Sequence, residues 1–174
     1  MIFLEICHQK LGCVDLEQKN QSKFSSLPQR PVVAVGVVCL RPPGEVLLIR
    51  RAKPPNAGAY SLPGGKLEFG ETLAAGALRE LAEETGVTAE LLGLIDVVDG
   101  LFDRAPDGQP STHYVLVDYA ARWTGGTPTA GDDAAEAAFV ALERLPEFGL
   151  WSETERIIRQ AAARWPEAAA PKSR

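Results

Sequence analysis

From residue 31 onward the apolar positions fall into short runs punctuated by glycine, proline and aspartate, and the spacing inside each run predicts its structure. Val32 to Leu40 is a near-continuous β-branched stretch, which suits a strand buried on both faces. Arg41-Pro42-Pro43-Gly44 turns the chain, and Glu45 to Arg51 returns as a second strand. Tyr60-Ser61-Leu62 is a short strand running into a tight turn at Pro63-Gly64-Gly65. Leu73, Ala74, Ala77, Leu78 and Leu81 then recur at helical spacing, with no proline between Glu71 and Gly86. This predicts an amphipathic helix over 72–85, stopped by Gly86. Glu90 to Asp99 reads as a strand, and Gly100 to Pro110 as a loop long enough to help enclose a ligand. Ser111 to Trp123 is the longest strand, with His113, Val115, Val117, Tyr119 and Ala121 on one face and Tyr114 and Leu116 on the other. A Gly/Thr/Pro-rich loop, 124–133, leads to a short strand at Glu136–Val140. Ser152-Glu153-Thr154-Glu155 has the form of a capping box ahead of a second helix, whose apolar face is Ile157, Ile158, Ala161, Ala162 and Trp165 and which Pro166 ends.

These elements predict one domain over 31–165. Residues 1–30 are mixed and polar around Gln18–Ser26 and read as an N-terminal extension outside the core, and residues 166–174 as a flexible tail. The length of 174 residues and 45% hydrophobic content suit a single globular domain with a real core. A net charge of −5 without a basic stripe argues against a nucleic-acid polymer as partner. Cys7, Cys13 and Cys39 are odd in number and lack metal-ligand spacing, so no disulfide framework is expected. The first residues lack a signal-peptide h-region and no span crosses a membrane, so the expected location is the cytoplasm.

The chemistry concentrates in the 72–85 helix. Glu80, Glu83 and Glu84 stand at i, i+3 and i+4, so their carboxylates are neighbours near the helix C-terminus, where both mutual repulsion and the helix dipole disfavour them. A hard divalent cation would offset both costs, and an all-oxygen set suits magnesium, calcium or manganese rather than zinc. Gly76 lies one turn before Glu80, where its lack of a side chain leaves room above the metal, and Arg79 is placed to bridge to Glu83. The competing reading is a solvated acidic face, the usual role of glutamate runs.

The flanking residues decide between them. Gly65, five residues, Glu71, seven residues, then Arg79-Glu80-Leu81-Ala82-Glu83-Glu84-Thr85-Gly86-Val87 resembles the Nudix box at every fixed position, and the surroundings resemble the family from about Pro31 to Trp165. The resemblance implies an α/β fold, a Nudix-type α/β/α sandwich with a mixed β-sheet between helices. It implies a magnesium-dependent hydrolase (manganese as a substitute) of a nucleoside diphosphate linked to another moiety, such as ADP-ribose, giving AMP and a sugar phosphate. Glu80, Glu83, Glu84 and the Gly65 carbonyl would hold metal, Glu71 and Arg79 would orient them, and Arg79, Glu80, Glu83 and Glu84 would form the catalytic set. Arg51 occupies the place of a basic residue in many members, for a substrate phosphate or as partner of a box glutamate. His113 is either a nucleotide contact or a structural histidine. Nudix enzymes often use a further carboxylate, for which Glu136 is preferred over Asp132 and Asp133. A homodimer is compatible with the resemblance. The alternatives are a (d)NTP pyrophosphohydrolase releasing pyrophosphate, and a non-catalytic nucleotide-sensing module, against which the intact box weighs.

Overall fold

The computed structural model describes residues 30–53, 56–104, 108, 110–131 and 133–170. The readings made on residues 1–29, including Cys7 and Cys13, and on Asp132 lie outside them. Pro31–Arg174 is one compact unit, built on a mixed sheet of β1 (Val32–Arg41), β2 (Glu45–Arg51), β3 (Tyr60–Ser61), β4 (Gly64–Lys66), β5 (Thr88–Arg104), β6 (Pro110–Gly125) and β7 (Ala134–Ala141). The strand order is β3-β2-β1-β6-β5, with β4 also on β1 and β7 also on β2. Among the described residues only β1 and β6 run parallel, in register from Val32–Tyr114 to Leu40–Arg122.

Among the described residues the α-helices are α1 (Leu73–Thr85), α2 (Ser152–Arg164) and a short α3 (Pro166–Ala169). Strand alternation divides the core between them. Val35, Val37 and Cys39 of β1 pack with Leu47, Val117, Ala77 and Leu81 beneath α1. Val38 and Leu40 pack with Leu48, Ala120, Ile157, Ile158, Ala161 and Ala168 beneath α2 and α3. β1 is thus buried on both faces, as its unbroken apolar run requires, and the layers form an α/β/α sandwich. Among the described residues no helix is long and apolar enough to cross a membrane.

One departure from a regular sheet positions the site. β1 and β2 pair only beside their turn, at Leu40–Val46 and Arg41–Glu45. They then diverge like a wedge. β2 continues with β3 and β7, while β1 takes β4 through Ala34–Lys66, Val35–Gly65 and Gly36–Gly64. The glycine turn of the sequence reading is therefore a strand, set by backbone pairing that Gly-Gly-Lys carries no side-chain pattern to announce.

Three other expectations are corrected. Gly100–Arg104 is not loop but the continuation of β5, paired with β6 from Gly100–Tyr114 to Arg104–Pro110. Ser152 does not cap α2: the N-cap is Trp151, without a side-chain hydrogen bond, and the Glu155 carboxylate turns to Arg159 at 2.6 Å. Residues 166–170 are not a frayed tail. Pro166, which cannot continue α2, starts α3 at the position where its missing N–H costs nothing, Ala168 is fully buried, and Ala169 O accepts from the Gly44 N–H at 2.7 Å.

Candidate active site

Helix α1 starts and stops where its sequence says. Thr72 Oγ1 accepts from the Ala75 N–H at 3.2 Å, and Gly86 takes the left-handed conformation, φ 65°, with its N–H on Ala82 O. The buried stripe is rotated from the leucine face: Gly76, Ala77, Leu81, Glu84 and Thr85 are buried, whereas Leu78 is 38% exposed. The three acids consequently meet three different environments. Glu84 is 7% exposed and accepts from the Gly64 N–H of β4 at 2.8 Å. Glu80 lies over Gly65, where a Cβ would stand 2.5 Å from its carboxyl group, so a side chain there would have to push the Glu80 carboxylate aside. Glu83 points outward with its side chain 61% exposed. Burial pushes the Glu84 carboxyl up to about 7, aided by Glu80 and Asp133 and opposed by the Gly64 N–H and by Arg51.

Arg79 ties these acids to the loop before the helix. Its guanidinium forks onto Glu71, Nε to Oε2 at 3.1 Å and Nη2 to Oε1 at 2.7 Å. Nη1 reaches Glu80 Oε1 at 2.9 Å and Glu83 Oε2 at 3.0 Å, and Nη2 also donates to Lys66 O. Glu71 is held below the usual carboxylate range by Arg79 and by the Glu68 N–H at 2.7 Å. The expected Arg79–Glu83 bridge is present, within a larger network that no pairwise spacing predicts.

The donor set fits a hard cation in part. Among the described residues no three His, Cys, Asp or Glu side chains converge as a ready-made metal cage, because Arg79 holds Glu83 aside. Two carboxylates, Glu80 over Gly65 and Glu84 on the Gly64 N–H, do stand side by side with oxygen ligands only. Magnesium is commonly bound by one or two carboxylates with water and substrate phosphate completing the shell. The buried, incompletely paired Glu84 gives such an ion a place to bind.

These groups form one end of a cavity of about 810 Å³, the size of a small-molecule site. Arg51 and Asp133 line the same end. A bulge between Arg50 and Arg51 separates the two arginines. Arg51 faces the cavity, whereas Arg50 Nη1 pairs with Glu136 Oε1 at 3.1 Å. Glu136 also accepts from the Tyr60 hydroxyl at 3.1 Å and does not line the cavity. The structure thus places Glu136, the acid preferred on sequence, on Arg50 and Tyr60 off the cavity lining, whereas Asp133, one residue before β7, lines the cavity near Glu84. The β6–β7 loop fixes Asp133 by capping α1, Thr129 and Gly131 donating to Thr85 O and Glu84 O, both at 2.9 Å. Asp133 also pairs with Lys53.

His113 is likewise placed away from the cavity. It lies on the sheet face of Val115 and Val117, with Nε2 3.0 Å from Asp99 Oδ1. Its neighbours Tyr114 and Leu116 line the cavity instead, with Phe102, Trp151 and Asp118. Asp118 was missed by the sequence reading. The available signal was a charge on the otherwise apolar Tyr114, Leu116, Ala120 face of β6.

The similarities of the chain agree with this architecture. A family model described as NUDIX domain matches residues 30–161. An ADP-ribose pyrophosphatase of Methanocaldococcus jannaschii is 34% identical over 142 residues, 82% of this chain and 79% of that protein. An RNA pyrophosphohydrolase of Novosphingobium aromaticivorans is 35% identical over 151 residues, 79% of this chain and 92% of that protein. Among solved structures, a MutT NUDIX hydrolase from Burkholderia pseudomallei aligns with TM-score 0.64 and 33% identity, over 76% of this chain and 98% of its own. With the box glutamates gathered on α1 at the mouth of the β1–β2 wedge, the chain belongs to the Nudix hydrolase family and is a pyrophosphohydrolase.

Proposed function

We propose that this enzyme hydrolyses the diphosphate bond of a nucleotide sugar, ADP-ribose being the leading candidate, to AMP and a sugar phosphate with magnesium as the metal. The observation that carries the reading is the buried Glu84 carboxylate, held by the Gly64 N–H beside Glu80 at the polar end of a cavity large enough for a dinucleotide-sized ligand. The resemblance to an ADP-ribose pyrophosphatase over 82% of the chain supports the substrate class.

Glu80, Glu84 and the Gly65 carbonyl would hold the cation, with Glu83 joining them as it leaves Arg79. When bound, the metal supplies charge neutralisation on the diphosphate and activation of the attacking water. Arg51 binds the phosphate chain from the β2 side, through a guanidinium suited to paired phosphate oxygens. Arg79 and Glu71 position Glu80 and Glu83 and touch no substrate. Asp133 accepts the proton of the attacking water at its carboxylate, close to Glu84 yet outside the metal-holding set.

The test is a panel of nucleotide sugars, dinucleoside polyphosphates and (d)NTPs with magnesium, with products resolved by chromatography. AMP and ribose phosphate from ADP-ribose are expected. Pyrophosphate released from triphosphates would favour the second reading, to which the RNA pyrophosphohydrolase relative lends support. No hydrolysis of any compound would return the chain to a sensing role.

A further inference from the structure

An acid of a different kind also lines the cavity. Asp118 is 7% exposed and lines the cavity. Its position follows from register. On β6 it lies opposite Gly36 of β1 and Asp96 of β5. A Cβ on Gly36 would collide with Asp118 Oδ1, so the carboxyl rests directly on that glycine. The charged groups around it are accounted for elsewhere. Arg156 of α2 pairs with Asp96 at 3.0 Å and with Glu153 at 2.7 Å. Desolvating a carboxyl costs stability, and a sequence that keeps one at a cavity wall points to a ligand that meets it there.

The walls say which part of a ligand this is. Phe102 stands 5.4 Å from Trp151 and 6.4 Å from Tyr114, centroid to centroid, and Val98, Leu116 and Leu150 complete an apolar slot. A planar heteroaromatic ring suits these walls, while a sugar diol would leave its other hydroxyls facing hydrocarbon. Resting on the nucleotide-sugar reading above, we propose that Asp118 reads the nucleobase, pairing with the amino-bearing edge of adenine. The phosphates then lie at Arg51 and Glu84, which line the same cavity.

The carboxyl suits that edge. Burial pushes it up to about 6, with Asp96 adding to the effect and Arg156 opposing it, so a minor neutral fraction exists at pH 7 that binding can draw on. A neutral carboxyl donates its O–H to a ring nitrogen while its carbonyl accepts from the 6-amino group, a two-point contact. Asparagine offers the same donor and acceptor, and alanine offers neither.

Calorimetry on the full chain with magnesium, using AMP, GMP and purine riboside 5′-monophosphate (adenine without its amino group), tests the assignment. The wild-type protein should bind AMP about 10- to 100-fold more tightly than the purine analogue. Asp118→Ala should bring that ratio close to one. Asp118→Asn should keep most of it. For ADP-ribose, Asp118→Ala should raise KM with kcat within a few-fold of wild type. Thermal melting of both variants at pH 8 should show them folded and no less stable than wild type, since a desolvated charge has been removed. A wild-type ratio near one, no nucleotide binding at all, or a ratio unchanged by Asp118→Ala overturns the assignment. So does an equal loss for AMP and its analogue, which would place Asp118 on the ribose. A strong GMP preference abolished by Asp118→Ala would keep Asp118 as the base reader while overturning adenine and the ADP-ribose substrate. ADP-ribose turnover with an unaltered base ratio would do the reverse.

Discussion

Gly76 lies against the carboxylate of Glu71: a Cβ at Gly76 would stand 2.8 Å from Glu71 Oε1 and 3.1 Å from a methyl of Leu67. The residue is small to admit its neighbour in the box, and the expectation that metal or substrate passes over it is corrected. Alanine gains up to about 1 kcal/mol of helix propensity over glycine, but it must displace an oxygen that Arg79 and the Glu68 N–H both hold. Gly76→Ala should therefore lower kcat by roughly tenfold while melting within a few degrees of wild type, because about 1.4 kcal/mol of strain in the transition state suffices for that rate loss. A wild-type kcat would mean that the Glu71–Arg79 pair tolerates displacement.

Arg79 should not be replaceable by lysine. Its planar fork serves Glu71, Glu80, Glu83 and Lys66 O from one fixed geometry, and an ammonium group offers a point charge in place of the fork. Arg79→Lys should cost at least about tenfold in kcat, with Glu71→Gln affected in the same direction. Near-additive losses in the double variant would argue against a shared network.

Asp133 and Glu136 now carry opposite expectations. Asp133→Asn should cut kcat by about 10²- to 10⁴-fold, the range for a proton-transfer group, with magnesium affinity near wild type. Glu136→Gln should keep its activity, since its carboxylate serves Arg50 and Tyr60. Rate and magnesium titration on both variants decide the assignment. Full activity in Asp133→Asn would remove the acid from the mechanism.

Glu84 makes stability depend on pH with a definite sign. Its folded pKa of about 7 lies above the ordinary glutamate value near 4.3. Between these values the folded protein binds more protons than the unfolded chain, so stability falls as pH rises from about 4 to 7. In chelator, Glu84→Gln should match wild type at pH 4 and exceed it by on the order of 2 kcal/mol at pH 8, measured by urea unfolding. Added magnesium should reverse the order at pH 8, because the ion stabilises only the ionised, folded site. Equal stability of the two proteins across pH in chelator would mean that Glu84 is not strained by burial.

Helix α1 was legible almost to the residue, because its caps, its period and its box all lie within one local stretch. β1 and β2 were legible for the same reason: burial on both faces or one writes itself into the alternation of side chains. What the sequence did not disclose depends on partners distant in the chain. β4 exists only because β1 and β2 separate. Gly100–Arg104 is a strand only because β6 lies beside it. Glu136 and Asp133 differ by a bulge and by the capping of α1, and neither leaves a trace in composition. Asp118 resembled an ordinary polar position on a strand until Gly36 was found against it.

Glu84 and Asp118 meet the same pair of glycines: Glu84 takes the N–H of Gly64, Gly64 is in register with Gly36, and Asp118 rests on Gly36. The two acids approach from the α1 and α2 sides of a partition one strand thick. Bond breaking belongs to a helix on one side and substrate choice to a strand on the other, so the two properties can drift independently. Enzymes descended from such an ancestor could exchange one base for another by changing position 118 and its aromatic walls, while inheriting the hydrolytic machinery intact. Replacing Gly36 or Gly64, by contrast, would damage both inheritances at once.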